Sequence, residues 1–311
     1  MRQVAYGGAS LIGILLAVSA ITFLLMNLAP GDPALAILGD SATEDSIAAL
    51  RERLGLDLPI IKRYFIWLGN VLTGDLGSTF RANEPILTAI LDRFPVTLEL
   101  LVGAQIVSLA AAIPVGIYLA YRQGTAADRI GLSFALTFVS IPPFLIGLLL
   151  VYFFALQLDW FPATGFVPLS VDPLANLHSM ALPIATLSLF EFPIYMRLLR
   201  NDMVQTLQQG YISLARTVGL PPWRILFLHA LRPSSVNLIT VVGINIGRLI
   251  SGTVIIEVLF GLPGIGQLLY DGILQREYLV VQGVVLMVAV FFVLINVGVD
   301  MLYRLVDPRL R

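Results

Sequence analysis

Cysteine is absent from all 311 residues, which excludes disulfide bonds and thiolate metal sites. This absence gives no indication of the redox compartment. Charge is also scarce, because only 13% of the residues are charged and the formal net charge is −1. Binding to nucleic acid needs a strongly basic face, which this balance does not supply. Disulfide scaffolds, thiolate metal proteins and nucleic-acid-binding proteins are therefore not expected.

The chain instead has an excess of apolar residues. They make up 58% of the sequence, and the mean hydropathy is +0.88. A soluble core could not enclose so many apolar side chains, so lipid must be the solvent for much of the chain. Six long runs carry at most one charge each: 4–29, 100–121, 130–158, 180–196, 233–256 and 278–299. About 20 apolar residues cross a hydrocarbon core as a helix. The sequence predicts an all-α membrane protein with six transmembrane helices.

Basic residues beside these runs predict the orientation. Eleven of the 19 lie at the two chain ends, at 122–129 and within 197–232, whereas loops 159–179 and 257–277 hold one between them. The positive-inside rule then places both termini and a polar insert, residues 201–233, in the cytoplasm.

Three regions follow from this topology. Residues 1–29 form a first span, which is too long for the apolar region of a signal peptide, about 7–15 residues, and is predicted to stay uncleaved. Residues 30–95 form an extracytoplasmic loop region, and residues 96–311 form a five-helix core that contains the insert. The loop region is far longer than a connection requires, which favours a docking surface for an external binding protein over a spacer.

The insert 201–233 has its own helical pattern. Apolar residues recur in it at i, i+4, i+7, i+8 and i+11: Leu207, Tyr211, Leu214, Ala215 and Val218. Gly219 follows where a helix would end in a left-handed cap, and Pro221-Pro222 suit the first turn of a second helix. We predict two short helices joined by a glycine turn. The apolar stripe either packs against the chain's own transmembrane helices or docks to another protein.

Prolines interrupt two of the apolar runs. Pro142 and Pro143 lie in the third run, and Pro183 and Pro193 lie in the fourth. Each removes a backbone donor, so both spans are predicted to bend. Bent helices are compatible with alternating access and equally with static packing.

Motifs for catalysis are missing. The single lysine, Lys62, has no GxxxxGK[ST] sequence around it, so the phosphate-binding loop of an ATPase is absent. The two histidines, His178 and His229, are predicted to lie on opposite sides of the membrane, which excludes an HExxH zinc site and a Ser–His dyad within a span. The chain is predicted to be no enzyme and to hold no cofactor, so any ATP would be hydrolysed by another chain.

Two charges lie inside predicted spans, Glu191 and Arg248, with Asn245 one turn before Arg248. Charges are unfavourable near lipid, so these side chains should face the bundle interior, an aqueous cavity or a partner subunit. They either line a translocation pathway or pair with each other, and the sequence does not decide between the two.

Several motifs together resemble the permease subunits of ABC importers for dipeptides, oligopeptides and nickel. Tyr211, Ala215-Arg216, Gly219-Leu220, His229 and Leu231-Arg232 resemble the EAA loop of that family. Ser213-Leu214-Ala215 replaces its Glu-Ala-Ala, and Arg232 replaces a proline. The motifs PGDP, GDLG, RFPVTLEL, FGLPGIGQLL and DPRLR extend the resemblance over nearly the whole chain.

The resemblance implies a type I ABC importer permease fold whose insert carries the coupling helix that docks to an ATPase. It assigns the docking and coupling role to Tyr211, Leu214, Ala215, Arg216, Gly219, Leu220 and Arg224. It also implies a homologous second permease, two cytoplasmic ATPase subunits that hold ATP and Mg²⁺, an extracytoplasmic substrate-binding protein, and small peptides or related solutes as cargo. The alternatives are a stand-alone secondary transporter or channel and, less in keeping with the motifs, a membrane enzyme.

Overall fold

The computed structural model describes residues 2–28, 43–53, 56–79 and 83–306, and within these ranges the chain is helical, with one isolated bridge between Ser78 and Pro85. The predicted all-α class is confirmed. The PGDP and DPRLR motifs fall outside the described residues. We number the helices α1 (Arg2–Leu28), α2 (Glu44–Arg53), α3 (Ile60–Leu72), α4 (Ile86–Tyr121), α5 (Ala126–Ser140), α6 (Pro143–Leu150), α7 (Pro173–Leu207), α8 (Gly210–Thr217), α9 (Pro222–Arg224), α10 (Leu231–Phe260), α11 (Ile265–Leu274) and α12 (Tyr278–Val306).

Helical structure carries each of the six apolar runs. Five of the runs lie in α1, α4, α7, α10 and α12, and the third is divided between α5 and α6. By length and composition, four stretches of the described chain are able to cross a membrane, and two bent helix pairs raise the number to as many as six. α4 is 36 residues long and begins at Ile86, inside the predicted loop region 30–95. The three-region division is one of membrane topology and stays a prediction.

The third run is divided by a sharp bend. α5 and α6 are bent by 101° relative to each other at Ile141 and Pro142, and α6 continues after Leu150 as a π-helix. Proline lacks a backbone N–H and pushes the residue before it to extended angles, as seen at Ile141 with ψ 127°. The predicted bend is confirmed here. In the fourth run, Pro183 and Pro193 lie inside the continuous helix α7.

Residues 257–277, predicted as a loop between spans, are largely helical. α10 continues to Phe260, and Gly261 ends it in the left-handed region at φ 63°. α11 then begins at Ile265, bent by 82° from the end of α10. α11 is too short and too closely flanked by Gly and Pro for its periodicity to stand out in the sequence, but its buried residues Leu268 and Gly272 show one packed face.

By packing, the chain forms two compact units. The first combines residues 1–97 with 263–294. Its core joins the start of α4 to α11 and α12 through the buried side chains Leu76, Ile86, Ala89, Ile90, Ile265, Leu268, Val280 and Val284. The backbone N–H of Ile265 donates to Thr97 Oγ1 at 2.9 Å, and the rings of Phe94 and Phe291 stack with centroids 4.2 Å apart.

The second unit combines residues 98–262 with 295–311. α7 is its central helix, packing against α5, α6 and α10. The largest fully buried side chains of this core lie on α7: Tyr195, Met196, Leu199 and Met203. Small residues on α4 allow close approach to α7, because a Cβ at Gly116 would lie 3.1 Å from the carbonyl oxygen of Met196.

Candidate coupling surface and buried polar cluster

The insert begins as a continuation of α7. That helix extends to Leu207, and Gln208 and Gln209 form a turn before α8 starts at Gly210. Leu207 therefore belongs to α7 and not to the same helix as Leu214. The predicted single stripe from 207 to 218 is wrong in this respect, because a change of direction separates its first member from the rest.

The end of α8 is a glycine cap. Gly219 has φ +83°, its N–H donates to the carbonyl of Arg216 at 3.0 Å, and the N–H of Leu220 donates to the carbonyl of Ala215 at 3.1 Å. This pair of bonds defines a Schellman motif, which satisfies the last free carbonyls of a helix. The predicted left-handed cap is confirmed. Nothing lies within 4 Å of the position that a Cβ would take, so the requirement for glycine is one of backbone conformation.

The second predicted short helix is not separate. Pro221 precedes α9 as its N-cap, and α9 continues without a break through a π-helical segment, Ile225–Ala230, into α10. A stretch that starts at Pro222 and ends at Ile250 is long and apolar enough to span a membrane. The insert is thus one short helix, α8, followed by the extended N-terminal end of a span.

A hydrogen bond joins α8 to the π-helical segment. The hydroxyl of Tyr211 donates to the carbonyl oxygen of His229 at 3.4 Å. Pro233, which has no N–H, removes one backbone donor from the helix just after this segment.

α8 is fixed to both flanking helices. Ile212 is fully buried, with 0% of its surface exposed, and α8 packs against the π-helical segment, where Ile225 and Ala230 are buried. Beside it, Thr206 Oγ1 at the end of α7 and Ser234 Oγ on α10 are hydrogen-bonded at 2.9 Å. α8 thus packs against the segment that leads into α10, and α10 is joined to the end of α7 beside it.

The opposite face of α8 is apolar and exposed. The exposed fractions are 49% for Tyr211, 66% for Leu214 and 74% for Val218, and Trp223 nearby is 56% exposed. We call these four side chains the α8 face. Three residues of the predicted stripe are therefore exposed, whereas Leu207 packs against the core of the second unit and Ala215 is half-buried. A contiguous exposed apolar patch of this kind is typical of a protein–protein interface.

Two exposed arginines lie in this part of the chain, Arg216 on α8 and Arg224 on α9. The guanidinium of Arg224 lies 5.3 Å from the centroid of the Trp223 ring. An arginine stacked on an indole combines apolar area with a charge that can bind a carboxylate. The α8 face thus has a basic group beside Trp223.

A buried polar cluster lies within the spans of the second unit. Glu191 on α7 is 1% exposed and accepts a hydrogen bond from Asn245 Nδ2 on α10 at 2.8 Å. Arg248 is exposed, and among the described residues no salt bridge joins it to Glu191. Glu191 is hydrogen-bonded to the amide of Asn245, and Arg248 acts on it as a nearby opposite charge without a salt bridge.

The cluster continues to α4. The hydroxyl of Tyr195, one turn along α7 from Glu191, donates to Gln105 Oε1 at 3.0 Å. Gln105 is 8% exposed, and its Nε2 has no hydrogen-bond partner within the described part of the chain. Polar groups from three helices therefore meet inside the bundle. Gln105 was not predicted as part of a cluster, because a single uncharged amide does not stand out from an apolar run in the sequence.

A second polar contact, also missed, lies at one end of α7. Arg200 binds Asp128 through two hydrogen bonds, Nε to Oδ1 at 3.0 Å and Nη2 to Oδ2 at 2.6 Å. Asp128 is 3% exposed and also accepts from the N–H of Gly124 at 2.9 Å. The pair fixes the turn before α5 to α7. Among the described residues, no cluster of His, Asp and Glu side chains could hold a metal ion.

Comparison with known proteins identifies the family. The family described as "Binding-protein-dependent transport system inner membrane component" matches residues 112–311, and its N-terminal companion matches residues 4–101. The chain belongs to this family. The permease is thus a non-catalytic, multi-pass inner-membrane subunit of an ABC transporter, in which ATP hydrolysis is performed by partner ATPases. This finding supports the importer prediction over a stand-alone transporter or channel.

The relatives span almost the whole permease. A peptide transport system permease protein of Brucella abortus is 41% identical over 303 residues, covering 97% of this chain and 96% of its own. The glutathione transport system permease protein of Salmonella choleraesuis is 34% identical over 301 residues, covering 97% and 96%. The predicted resemblance to peptide importer permeases is confirmed.

A solved structure of the inward-facing MetNI methionine ABC transporter matches with a TM-score of 0.56 at 17% identity, covering 72% of the permease and 99% of the matched chain. At this identity the match concerns the fold alone. The predicted type I ABC importer permease fold is confirmed.

Most of the residues predicted for docking lie together on the permease surface. Tyr211, Leu214, Arg216, Gly219 and Arg224 are exposed on α8 and beside it, whereas Ala215 and Leu220 are half-buried. The predicted docking residues did not include three that lie on or beside α8 in the structure: Ile212, Val218 and Trp223. Val218 already belonged to the apolar stripe, and Trp223 is one of only three tryptophans in the chain, so both carried a signal.

Proposed function

We propose that the permease forms, with a homologous second permease, the membrane pathway of an ATP-driven importer for small peptides or related solutes. Two cytoplasmic ATPase subunits hold ATP and Mg²⁺, and an extracytoplasmic binding protein delivers the cargo. Both termini and the 201–233 insert face the cytoplasm. Relatives named for peptide and glutathione transport support this range of cargo.

The exposed α8 face carries this proposal. Apolar side chains that are 66% and 74% exposed on a short helix need a partner, and those of Leu214 and Val218 lie one helical turn apart on one side. In the proposed complex they enter a groove on the ATPase, with Arg216 and Arg224 bound to carboxylates at its edge. Gly219 and Leu220 keep the end of α8 in the docking conformation.

Transmission then follows the contacts within the second unit. ATPase closure moves α8, and α8 moves the ends of α7 and α10 through Ile212 and through the Thr206–Ser234 hydrogen bond. The same two helices are joined within the spans by Glu191 and Asn245. In the proposal, their joint motion alternates access to the pathway.

Among the proposed pathway residues, Arg248 has the clearest physical reason to face the pathway. A guanidinium at the centre of a spanning helix costs about 2.5–3.5 kcal/mol in lipid, and Arg248 is exposed on α10 without a salt bridge among the described residues. A water-filled pathway or the second permease removes that cost. Glu191 and Asn245, which are buried and bonded to each other, position α10 for this role.

A matched pair of substitutions tests the docking role. Val218 on α8 and Val171 in the loop before α7 are both 74% exposed, so Val218→Asp and Val171→Asp place the same charge at equal exposure. Val218→Asp should lose the ATPase subunits on co-purification and lose uptake in vesicles, because a carboxylate enters an apolar contact. Val171→Asp should keep both. Full ATPase recovery with Val218→Asp would refute the docking role of α8.

A further inference from the structure

The helix α3 has apolar side chains on two sides. One side is buried in a small core with α1 and α12, formed by Phe23, Trp67 and Leu286 with Tyr64, Leu68, Val71 and Leu279 packed around it. The other side is exposed: Ile61 is 68%, Phe65 63% and Leu72 81% exposed. Residues 61, 65 and 72 are spaced i, i+4 and i+11 and share one face of the helix. The described part of the chain does not cover this second apolar face, and contact of the face with water would be unfavourable.

The contacts of α3 show how far it lies from the end of α1 and from the start of α12. Tyr64 OH is hydrogen-bonded to Ser19 Oγ at 2.9 Å, and Ser19 lies nine residues before the end of α1, about 14 Å along the helix axis. Trp67 packs with Leu286, eight residues into α12, about 12 Å from its start. α3 therefore lies beside the body of these helices and not above their ends.

The polar residues of α3 lie away from the exposed apolar face. Asn70 is on the opposite side of the helix from Ile61, and Lys62, the only lysine of the chain, lies between them. Both are exposed. Half of the helix circumference is thus apolar. One part of that half contacts α1 and α12, and the other part is exposed. Ile66, 47% exposed, lies between Lys62 and Asn70, so this side of α3 is only partly polar. A helix with an apolar side and a partly polar side at this depth matches an interfacial helix.

We propose that α3 lies in the membrane interface and that lipid acyl chains cover Ile61, Phe65 and Leu72. Lys62 and Asn70 then face headgroups and water. Interfacial helices of this type bury their apolar face about 5–10 Å into the boundary between headgroups and acyl chains. The depth set by Ser19 and Leu286 favours lipid over a water-soluble protein, because a soluble partner would have to enter the bilayer to reach Phe65. The inference does not depend on the proposed cargo or on ATPase docking.

Single cysteines test this inference without background labelling of the permease itself, because its natural chain has no cysteine, and the same preparation of the natural permease measures the labelling of its partner subunits. Ile61→Cys, Phe65→Cys and Leu72→Cys, with Asn70→Cys as the control, are labelled with an environment-sensitive fluorophore. The full-length permease with its co-purifying subunits is reconstituted in phosphatidylcholine vesicles. Quenching is measured with acyl-brominated lipid and separately with aqueous iodide.

The expected result is strong quenching by brominated lipid and weak quenching by iodide at 61, 65 and 72, with the reverse at 70. Iodide quenching at all four positions to the same extent would place the face in water and overturn the proposal. Protection from iodide without quenching by brominated lipid would also overturn it, since a protein would then cover the face.

A substitution pair gives an independent readout. Phe65→Asp and Asn70→Asp each add one carboxylate to α3, on opposite sides of the helix. Phe65→Asp should reduce the amount of permease recovered from the membrane and lower its unfolding temperature, while Asn70→Asp should leave both unchanged. Equal recovery and equal stability of the two variants would contradict lipid contact at Phe65.

Discussion

Replacing Gly219 tests whether the geometry of the α8 cap matters for coupling. The residue has φ +83°, a conformation that costs an L-residue about 1–2 kcal/mol, and a β-branched residue is the least tolerant. No atom lies within 4 Å of a Cβ built there, so Gly219→Val introduces backbone strain without a clash. A penalty of this size changes the population of the native turn by a factor of about 5–30.

Gly219→Asn is the matched control, because asparagine enters the left-handed region far more readily than valine. Both variants are reconstituted, and uptake coupled to ATP is measured together with the amount of inserted permease. We expect normal insertion for both, strongly reduced uptake for Gly219→Val, and substantial uptake for Gly219→Asn. Normal uptake by the valine variant, or equal loss in both, would refute the reasoning from backbone conformation.

Four further predictions concern contacts of the second unit. Asp128→Ala leaves Arg200 partly buried and unpaired, which should destabilise the permease by about 3–5 kcal/mol in thermal unfolding, and an unchanged unfolding temperature would contradict the role of the pair. Glu191→Leu removes the acceptor of the Asn245 amide and should cost about 1–3 kcal/mol, whereas Glu191→Gln keeps an oxygen there and should cost less; equal stability of the two variants would contradict the bond. Ile212→Ala removes the buried anchor of α8 and should cost about 2–5 kcal/mol locally, visible as faster hydrogen exchange of α8. Arg216→Glu should weaken ATPase recovery on co-purification without changing insertion, and undiminished recovery would count against its docking role.

Most helices and the cap at Gly219 could be predicted from the sequence. Long apolar runs with at most one charge correspond to α1, α4, α7, α10 and α12, because the cost of a charge in lipid acts along the whole of a span. Gly219 was predictable because a left-handed cap is a local requirement of the chain. The proline break between α5 and α6 was predictable as a bend for the same reason, but its size of 101° was not.

Contacts between residues that are far apart in the sequence could not be predicted. Asp128 and Arg200 are 72 residues apart, and Glu191 and Asn245 are 54 apart, so no local pattern joins them. Arg248 and Glu191 interact as charges without forming a salt bridge within the described residues, and no local pattern showed that Asn245 would donate to Glu191. The sharp bend into α11 was missed because its helix is only 10 residues long and lies between Gly261 and Glu277.

The docking of α8 to an ATPase is the central claim, and the most direct measurement is cysteine accessibility at Val218. Val218→Cys in the naturally cysteine-free chain is exposed to a membrane-impermeant maleimide in right-side-out and inside-out vesicles, with and without the ATPase subunits. The account predicts labelling only in inside-out vesicles stripped of ATPase, and protection when the ATPases are bound. Labelling from the outer side, or an equal labelling rate with and without bound ATPase, would contradict it.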